Sequence, residues 1–310
     1  MKTKCSFAFI RRTVDIMGDK YLHLDEDTRE QLNLPDSERR MVVEESFWIE
    51  YEQAEKIIAF LDDLLHLPKK DRMPNCLLIG EANNGKTSLL GEFISRYPGG
   101  VREDGSGVDL PIIKINVMPD VDESRLYNRI LNVLNAPYKD SEKPDRKQYQ
   151  VLQLCSRLNV RMLVIDEGSD FLMGTPHKQR TALVAVKDLS NTLKIPVVLS
   201  SVPKGLNVIN SDSQSSSRFE PVELPLWKND TEFKRLLNAF ERSLPLKKPS
   251  FLYSEELASK IHRMTDGIIG DVARLLGKAA RLAIDSEEER ITEDILDSVK
   301  HISPSKRNKG

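Results

Sequence analysis

The sequence predicts an α/β fold, a central parallel sheet wrapped by helices and followed by a C-terminal helical unit. Three observations predict it. Short apolar runs of strand length alternate with segments of helical periodicity from about residue 50 to 225, the pattern of β–α–β units. One junction between such segments, Gly80-Glu81-Ala82-Asn83-Asn84-Gly85-Lys86-Thr87, fits G-x-x-x-x-G-K-[ST] in the strand–loop–helix context that the motif requires. From Asn229 onward the composition turns helical to the end.

The first 45 residues are charged and weakly periodic. They read as a partly helical extension, with a turn at Leu32-Asn-Leu-Pro-Asp36, that serves either as a partner-binding arm or as a solvated tail. Ala54, Ile57, Ile58, Leu61, Leu64 and Leu65 then recur at helical spacing up to Pro68. A buried strand is predicted over 75–79, and a helix beginning at Lys86 carries Leu89, Leu90 and Phe93 on one face. The Gly- and acid-rich stretch 98–107 reads as a loop, 111–117 as a strand and 123–134 as a helix. Residues 136–146 are polar, and 148–158 are helical again.

Arg161-Met-Leu-Val-Ile-Asp166-Glu167 describes a buried central strand ending in two carboxylates at the sheet edge that holds ligands. A helix over 177–193 leads to a second buried run that ends in Ser200-Ser201, a Ser-rich loop over 210–217, and a strand over 221–225. Phe233, Leu236, Leu237, Phe240 and Leu244 form the first apolar stripe of the helical unit. Leu257, Ile261 and Met264 form a second, and Val272 to Ala283 a third; Thr292 caps a last helix. The predicted division is therefore an extension over 1–45, a nucleotide-binding domain over 46–227, a helical lid over 228–303 and a basic tail over 304–310 expected to fray.

Composition excludes more than it selects. With 46 basic and 48 acidic residues, the chain has no global excess of positive charge for wrapping nucleic acid, though a local basic face is compatible. Cys5, Cys76 and Cys155 are widely spaced, which fits neither a zinc site nor a disulfide framework and suits a reducing cytoplasm. No apolar run reaches membrane-spanning length, so no membrane partner is expected.

The phosphate-loop motif carries the chemistry. Backbone N–H groups of the loop and the helix N-terminus form a concavity of partial positive charge suited to a β-phosphate. Gly80 and Gly85 permit the required backbone approach. Lys86 would reach the β- and γ-phosphates of ATP, and the Thr87 hydroxyl would ligate Mg²⁺; Ser88 follows on the same first helical turn. Asp166 would support the Mg²⁺ shell, and Glu167 would polarise the attacking water. A hydroxyl at the end of the next strand, Ser200 or Ser201 with Ser201 the candidate, would sense the γ-phosphate between the two; a small turn residue is the other reading.

With these residues in view, the chain resembles the AAA+ ATPases, and within them the TniB/TnsC family of transposition regulators. The strings that carry the resemblance are Arg72-Met-Pro-Asn75, the Asn83–Thr87 loop, Ile165-Asp-Glu167, Ser217-Arg-Phe219, Leu224-Pro-Leu-Trp227 and Gly267-Ile-Ile-Gly270. The resemblance spans about residues 45–300. It implies an AAA+ P-loop domain with a helical lid, and an ATPase that assembles as a ring or helical filament on duplex DNA without reading sequence. It also implies a transposase, and a target selector that is either a DNA-binding protein or an RNA-guided complex. Slow, DNA-stimulated turnover is part of the same expectation. Residue by residue, it implies that Lys86 and Thr87 contact phosphate and metal, that Asp166 and Glu167 are the metal-supporting and catalytic acids, and that Arg218 acts in trans as an arginine finger. Arg218 alone reads as an ordinary surface arginine. Two strings depart from the family. The sensor strand ends in Ser200-Ser201-Val202 where a Gly-Thr-like pair is usual, and Arg274 lies one position later than the usual second sensor.

Arg125 and Arg129 on the 123–134 helix, with Lys139, Lys143, Arg146 and Lys147 in the polar loop, lie in the region that resembles the family's DNA-tracking surface. They would contact phosphates alone; a solvated charged face is the other reading. Two functions of other kinds remain open, an initiator or clamp-loader-like ATPase of replication or repair and a nucleotide-switched scaffold.

Overall fold

The computed structural model describes residues 21–45, 48–116, 122–168, 176–211 and 217–307. These form two compact units. One joins the residues up to Ile49 with those from Trp227 onward; the other runs from Glu50 to Leu226.

The second unit is built on a five-stranded parallel sheet. Its strands are β1 (Asn75–Ile79), β4 (Ile112–Asn116), β5 (Met162–Asp166), β6 (Val197–Ser201) and β7 (Phe219–Glu223), in the order β4-β5-β6-β1-β7. β1, β5 and β6 are buried at every position, because helices cover both faces of a parallel sheet. The chain leaves β1 toward β4 on one side of the sheet, whereas β7 flanks β1 on the other. The end of β1 is therefore the topological switch point, the place where such sheets bind ligands.

Helices α3 (Glu52–His66), α4 (Lys86–Ser95), α5 (Glu123–Val133), α6 (Pro144–Arg157), α7 (Pro176–Leu193) and α8 (Lys204–Ser211) complete this unit. The six apolar positions read from the α3 periodicity are all buried. The stretch 98–107, read as loop, instead begins a small hairpin in which β2 (Gly100–Val101) pairs with β3 (Val108–Asp109), with Gly105 between them in the left-handed region. Its two-residue strands are too short to show a period in sequence. α8 has no counterpart in the sequence reading, and most of the Ser-rich loop lies outside the described residues. No helix among the described residues is long and apolar enough to cross a membrane.

The first unit is helical. α1 (Glu26–Gln31) and α2 (Asp36–Val42) precede α9 (Thr231–Arg242), α10 (Glu255–Thr265), α11 (Ile269–Asp285), α12 (Glu293–Ser298) and the single turn α13 (Pro304–Arg307). Asp230, Ser254 and Thr292 cap α9, α10 and α12 by accepting from the backbone N–H three residues on. The described part of the N-terminal segment belongs to this unit's core. A Cβ on Gly277 of α11 would meet the Val43 carbonyl oxygen at 2.7 Å, so glycine lets the two backbone segments touch. Arg39 of α2 is fully buried and pairs with Glu289 at 2.6 Å. The expected fraying of the tail is corrected for residues 304–307: the Arg307 guanidinium is 2.6 Å from Asp271, and the Ser305 N–H donates to Asp266.

Candidate nucleotide site

The loop between β1 and α4 is shaped by its small residues. A Cβ on Gly80 would crowd the Leu224 carbonyl oxygen at 3.1 Å and the Leu224 Cβ at 3.3 Å. Asn83 (φ 61°) and Gly85 (φ 83°) adopt left-handed backbone, the turn that aims the following N–H groups into the concavity. Asn84 is buried, and its Nδ2 donates to the carbonyls of Leu224 (2.9 Å) and Pro225 (3.0 Å). Its side chain thus braces the loop onto the segment leaving β7, and Asn84 shapes the site rather than offering a donor to it.

Lys86 Nζ donates to the carbonyls of Gly80 and Glu81, both at 2.8 Å, so the ammonium lies folded across the loop. Burial pushes its pKa below the ordinary lysine value, opposed by the charges of Asp166 and Glu81. Thr87 and Ser88 are exposed on the first turn of α4, with Glu81, Ala82 and Asn83 exposed at the rim.

At the end of β5, Asp166 is 1% exposed; its Oδ1 is hydrogen-bonded, whereas its Oδ2 has an ion-pair contact but no hydrogen bond among the described residues. Oδ1 accepts from the Ser200 hydroxyl (2.5 Å) and the Glu167 N–H (2.9 Å), and Oδ2 is 2.8 Å from Lys114 Nζ. Burial alone would raise the carboxyl pKa; Lys114 and Ser200 outweigh it and hold the group below the usual carboxylate range. Glu167 is exposed, with φ 57°. That sharp turn depends on Gly168, where a Cβ would come within 2.5 Å of both Leu199 Cδ1 and the Ser200 carbonyl oxygen.

β6 lies between β5 and β1 and ties the carboxylates to the loop. Ser200 reaches Asp166, and the Ser201 carbonyl accepts from Gly80 N–H at 3.1 Å. The Ser201 hydroxyl is buried with no hydrogen-bond partner among the described residues. The expected sensor is thus the one of the two serines whose hydroxyl is uncommitted.

The residues fit a nucleotide phosphate and a hard divalent cation. The loop is a tight turn with Asn83 and Gly85 in left-handed backbone, and the donors beside it are hydroxyl and carboxylate oxygens. Among the described residues no three or more His, Cys, Asp or Glu cluster as metal ligands. Mg²⁺ takes one or two protein oxygens and completes its shell with phosphate and water, so a hydroxyl and a carboxylate would be enough to hold it.

Arg218 stands at the other end of the sheet. Its carbonyl accepts from the N–H of Asn75, the first residue of β1, at 2.8 Å, and its Nη1 donates to Asn191 Oδ1 at 2.8 Å. The phosphate loop follows the last residue of β1, roughly 17 Å away at about 3.3 Å per residue, beyond the reach of one side chain. In the helical unit, Arg274 is half exposed, 3.6 Å from Asp271.

The sequence model of the family described as "Bacterial TniB protein" matches residues 39–229. The chain belongs to the TniB family. No curated protein sequence matches it. Among solved structures, this TniB-family chain is similar to the Aeropyrum pernix ORC2 protein in its ADPNP–ADP complexes, with 17% identity over 82% of this chain and 69% of that one and a TM-score of 0.57. It is also similar to Cdc6p from Pyrobaculum aerophilum (18% identity, 83% and 68% covered, TM-score 0.59). A third is the Aeropyrum pernix ORC1 protein in complex with DNA (19% identity, 84% and 68% covered, TM-score 0.54). At such identities the likeness is one of fold, and the fold is that of the AAA+ ATPases.

The basic residues expected to meet DNA divide in this TniB-family chain. Arg125 is exposed and Arg129 half buried, four residues apart on α5. Lys139 and Lys143 are exposed between α5 and α6, and Arg146 is exposed on the first turn of α6. α6 starts at Pro144, so Arg146 and Lys147 are helical rather than part of the loop. Lys147 is a correction. Its side chain is fully buried, its Nζ donates to Ser124 Oγ (2.8 Å) and the Asp140 carbonyl (3.1 Å), and it sits over the Tyr138 ring. It is a brace inside the α5–α6 region, its ammonium turned inward and out of reach of a phosphate backbone. Sequence reasoning also passed over Lys114 and Gly168, and it named Ser200 without its carboxylate partner. The signal for Lys114 was present as one ammonium within the apolar strand run Ile112-Ile-Lys-Ile115, since a strand lysine needs a partner.

Proposed function

We propose that this chain is a Mg²⁺-dependent ATPase that assembles on duplex DNA and regulates transposition, marking a target site and recruiting or activating a transposase. The observation that carries the reading is the joined site of a TniB-family chain. The Gly80–Thr87 loop and the Asp166-Glu167 pair lie at the ends of β1 and β5, tied through β6 by Ser200 and Ser201.

In this reading Lys86 leaves the loop carbonyls to bind the β- and γ-phosphates, and backbone N–H groups of the loop hold the β-phosphate. Thr87 and Asp166 would hold Mg²⁺, the latter through water, and the bound metal would neutralise charge developing on the phosphates. Glu167, exposed beyond the strand end, orients and polarises the attacking water. The Ser201 hydroxyl senses the γ-phosphate, and Arg274 serves as a second sensor from the lid.

Arg218 supports the oligomeric part. Placed at the opposite sheet edge, it cannot reach the phosphates of its own chain, so an arginine-finger role requires a neighbour. Each site is then completed by a second copy, and nucleotide couples to assembly. Many subunits contributing a few phosphate contacts each would sum to firm, sequence-independent DNA binding despite the balanced net charge.

The test is electron microscopy with duplex DNA and a non-hydrolysable ATP analogue, beside Lys86→Ala, Glu167→Gln and Arg218→Ala. Rings or filaments should require both nucleotide and Lys86. Glu167→Gln should assemble yet lose turnover by roughly 10²–10⁴-fold, and Arg218→Ala should bind ATP as a monomer but hydrolyse it about 10³-fold more slowly. A chain that binds ATP and ignores DNA would sink the DNA-assembly reading. A replication-initiator ATPase is the second reading, favoured by the fold likeness to ORC and Cdc6 proteins. Stimulation of a transposase by the assembled protein separates the two.

A further inference from the structure

We propose that Lys114 is a built-in competitor for the metal side of Asp166, a positioning residue that sets the Mg²⁺ concentration at which the site accepts nucleotide. The inference rests on the ATPase reading above and concerns how that site is regulated. Lys114 lies on β4, the strand beside β5, in register with Val164, two residues before Asp166. Its side chain is 25% exposed and that of Asp166 1%, so the ammonium closes over a buried carboxylate from the solvent side.

The hydrogen-bond inventory of Asp166 makes the competition specific. A carboxylate offers about four lone-pair sites, two on each oxygen. Both on Oδ1 are taken, by the Ser200 hydroxyl at 2.5 Å and the Glu167 N–H at 2.9 Å. These two donors belong to the fold, since Ser200 is buried on β6 and the Glu167 N–H is backbone. Oδ2 carries Lys114 Nζ at 2.8 Å and is the oxygen with room for another donor. A water on a Mg²⁺ shell would therefore have to share Oδ2 with the ammonium or displace it. An ammonium and a hydrated Mg²⁺ beside the same buried carboxylate repel strongly, because the surroundings screen them less than water does. Lys114 has an exposed path on which to swing away; Ser200 and the Glu167 N–H do not.

Fluorescent ATP-analogue binding decides the matter, measured in EDTA and across a Mg²⁺ titration on wild type, Lys114→Met and Lys114→Arg. Lys114→Met removes the charge and keeps the bulk. It should reach half-saturation of the Mg²⁺ effect at about tenfold lower Mg²⁺, the scale on which groups beside a metal site alter its affinity. Lys114→Arg keeps a cation on Oδ2 and should stay within about twofold of wild type. An unchanged or higher Mg²⁺ requirement in Lys114→Met would overturn the proposal and make Lys114 a support of the metal site. So would a Lys114→Arg protein that behaves like Lys114→Met. Should Lys114→Met fail to fold, Lys114→Gln takes its place under the same expectation. Wild type that binds no ATP analogue under either condition would count instead against the nucleotide reading.

Discussion

The Ser200 hydroxyl donates to Asp166 Oδ1 at 2.5 Å, whereas that of Ser201, the next residue on β6, is buried with no partner among the described residues. Adjacent strand residues point to opposite faces, so the two serines serve different neighbours. Ser200→Ala should leave a buried carboxylate oxygen short of a donor and cost about 1–3 kcal/mol in denaturant unfolding. Ser201→Ala removes a buried hydroxyl that has no partner among the described residues, so it should cost no stability while slowing ATP turnover. Equal stability losses in the two variants would contradict the division of labour.

Gly168 is the second position where one atom decides. A methyl there would come within 2.5 Å of the Ser200 carbonyl oxygen, a backbone atom that cannot rotate aside. Gly168→Ala should destabilise by about 1–3 kcal/mol and lower turnover, because the same displacement moves Glu167. Thermal unfolding together with steady-state rates checks both.

In the helical unit, Arg39 donates to both oxygens of Glu289, at 2.6 and 2.9 Å, and to the Pro245 carbonyl at 3.0 Å. Burial would raise the Glu289 pKa, but Arg39 and Lys247 outweigh it and bring the carboxyl down to about 2. A depressed folded-state pKa stabilises above the unfolded value of about 4.3. That contribution is present at neutral pH and is lost as pH falls from about 4.3 toward about 2. Glu289→Gln should leave the buried guanidinium with the exposed Asp36 carboxylate, 2.7 Å away, as its remaining counter-charge, cost about 3 kcal/mol and flatten this part of the pH–stability curve. A curve of unchanged shape in the variant would place the acid sensitivity elsewhere.

The basic residues near α5 and α6 should separate by burial. Lys143→Ala and Arg146→Ala should weaken DNA binding across sequences and each reduce the salt slope by about one. Lys147→Met should instead lower stability, and weaken DNA binding only as far as the 138–147 segment loses its brace. Salt titrations of fluorescent duplex binding, paired with melting curves, read the two effects apart.

Much of the nucleotide half was legible from residues alone. The phosphate loop has to be local, because its function lies in consecutive backbone N–H groups, so its spacing shows in sequence. β1 was read to the residue and β5 nearly so, since strands buried on both faces are short unbroken apolar runs. The period of α3 was equally plain because one face meets the core along its whole length. The 100–109 hairpin and α8 were not legible, one for its two-residue strands and the other for its eight residues.

What sequence by itself determined is the chemistry that neighbouring residues perform together: a loop for phosphate, a strand ending in Asp166-Glu167, and a helical C-terminal stretch. Tertiary structure decided which side chains from distant strands complete that chemistry. It set Lys114 against Asp166, gave Ser200 rather than Ser201 the carboxylate, buried Lys147 and carried Arg39 to Glu289 across 250 positions. The reason is physical. Periodicity reports which face of an element is buried, whereas the partner of a buried charge is set by strand order and packing, which no local pattern encodes.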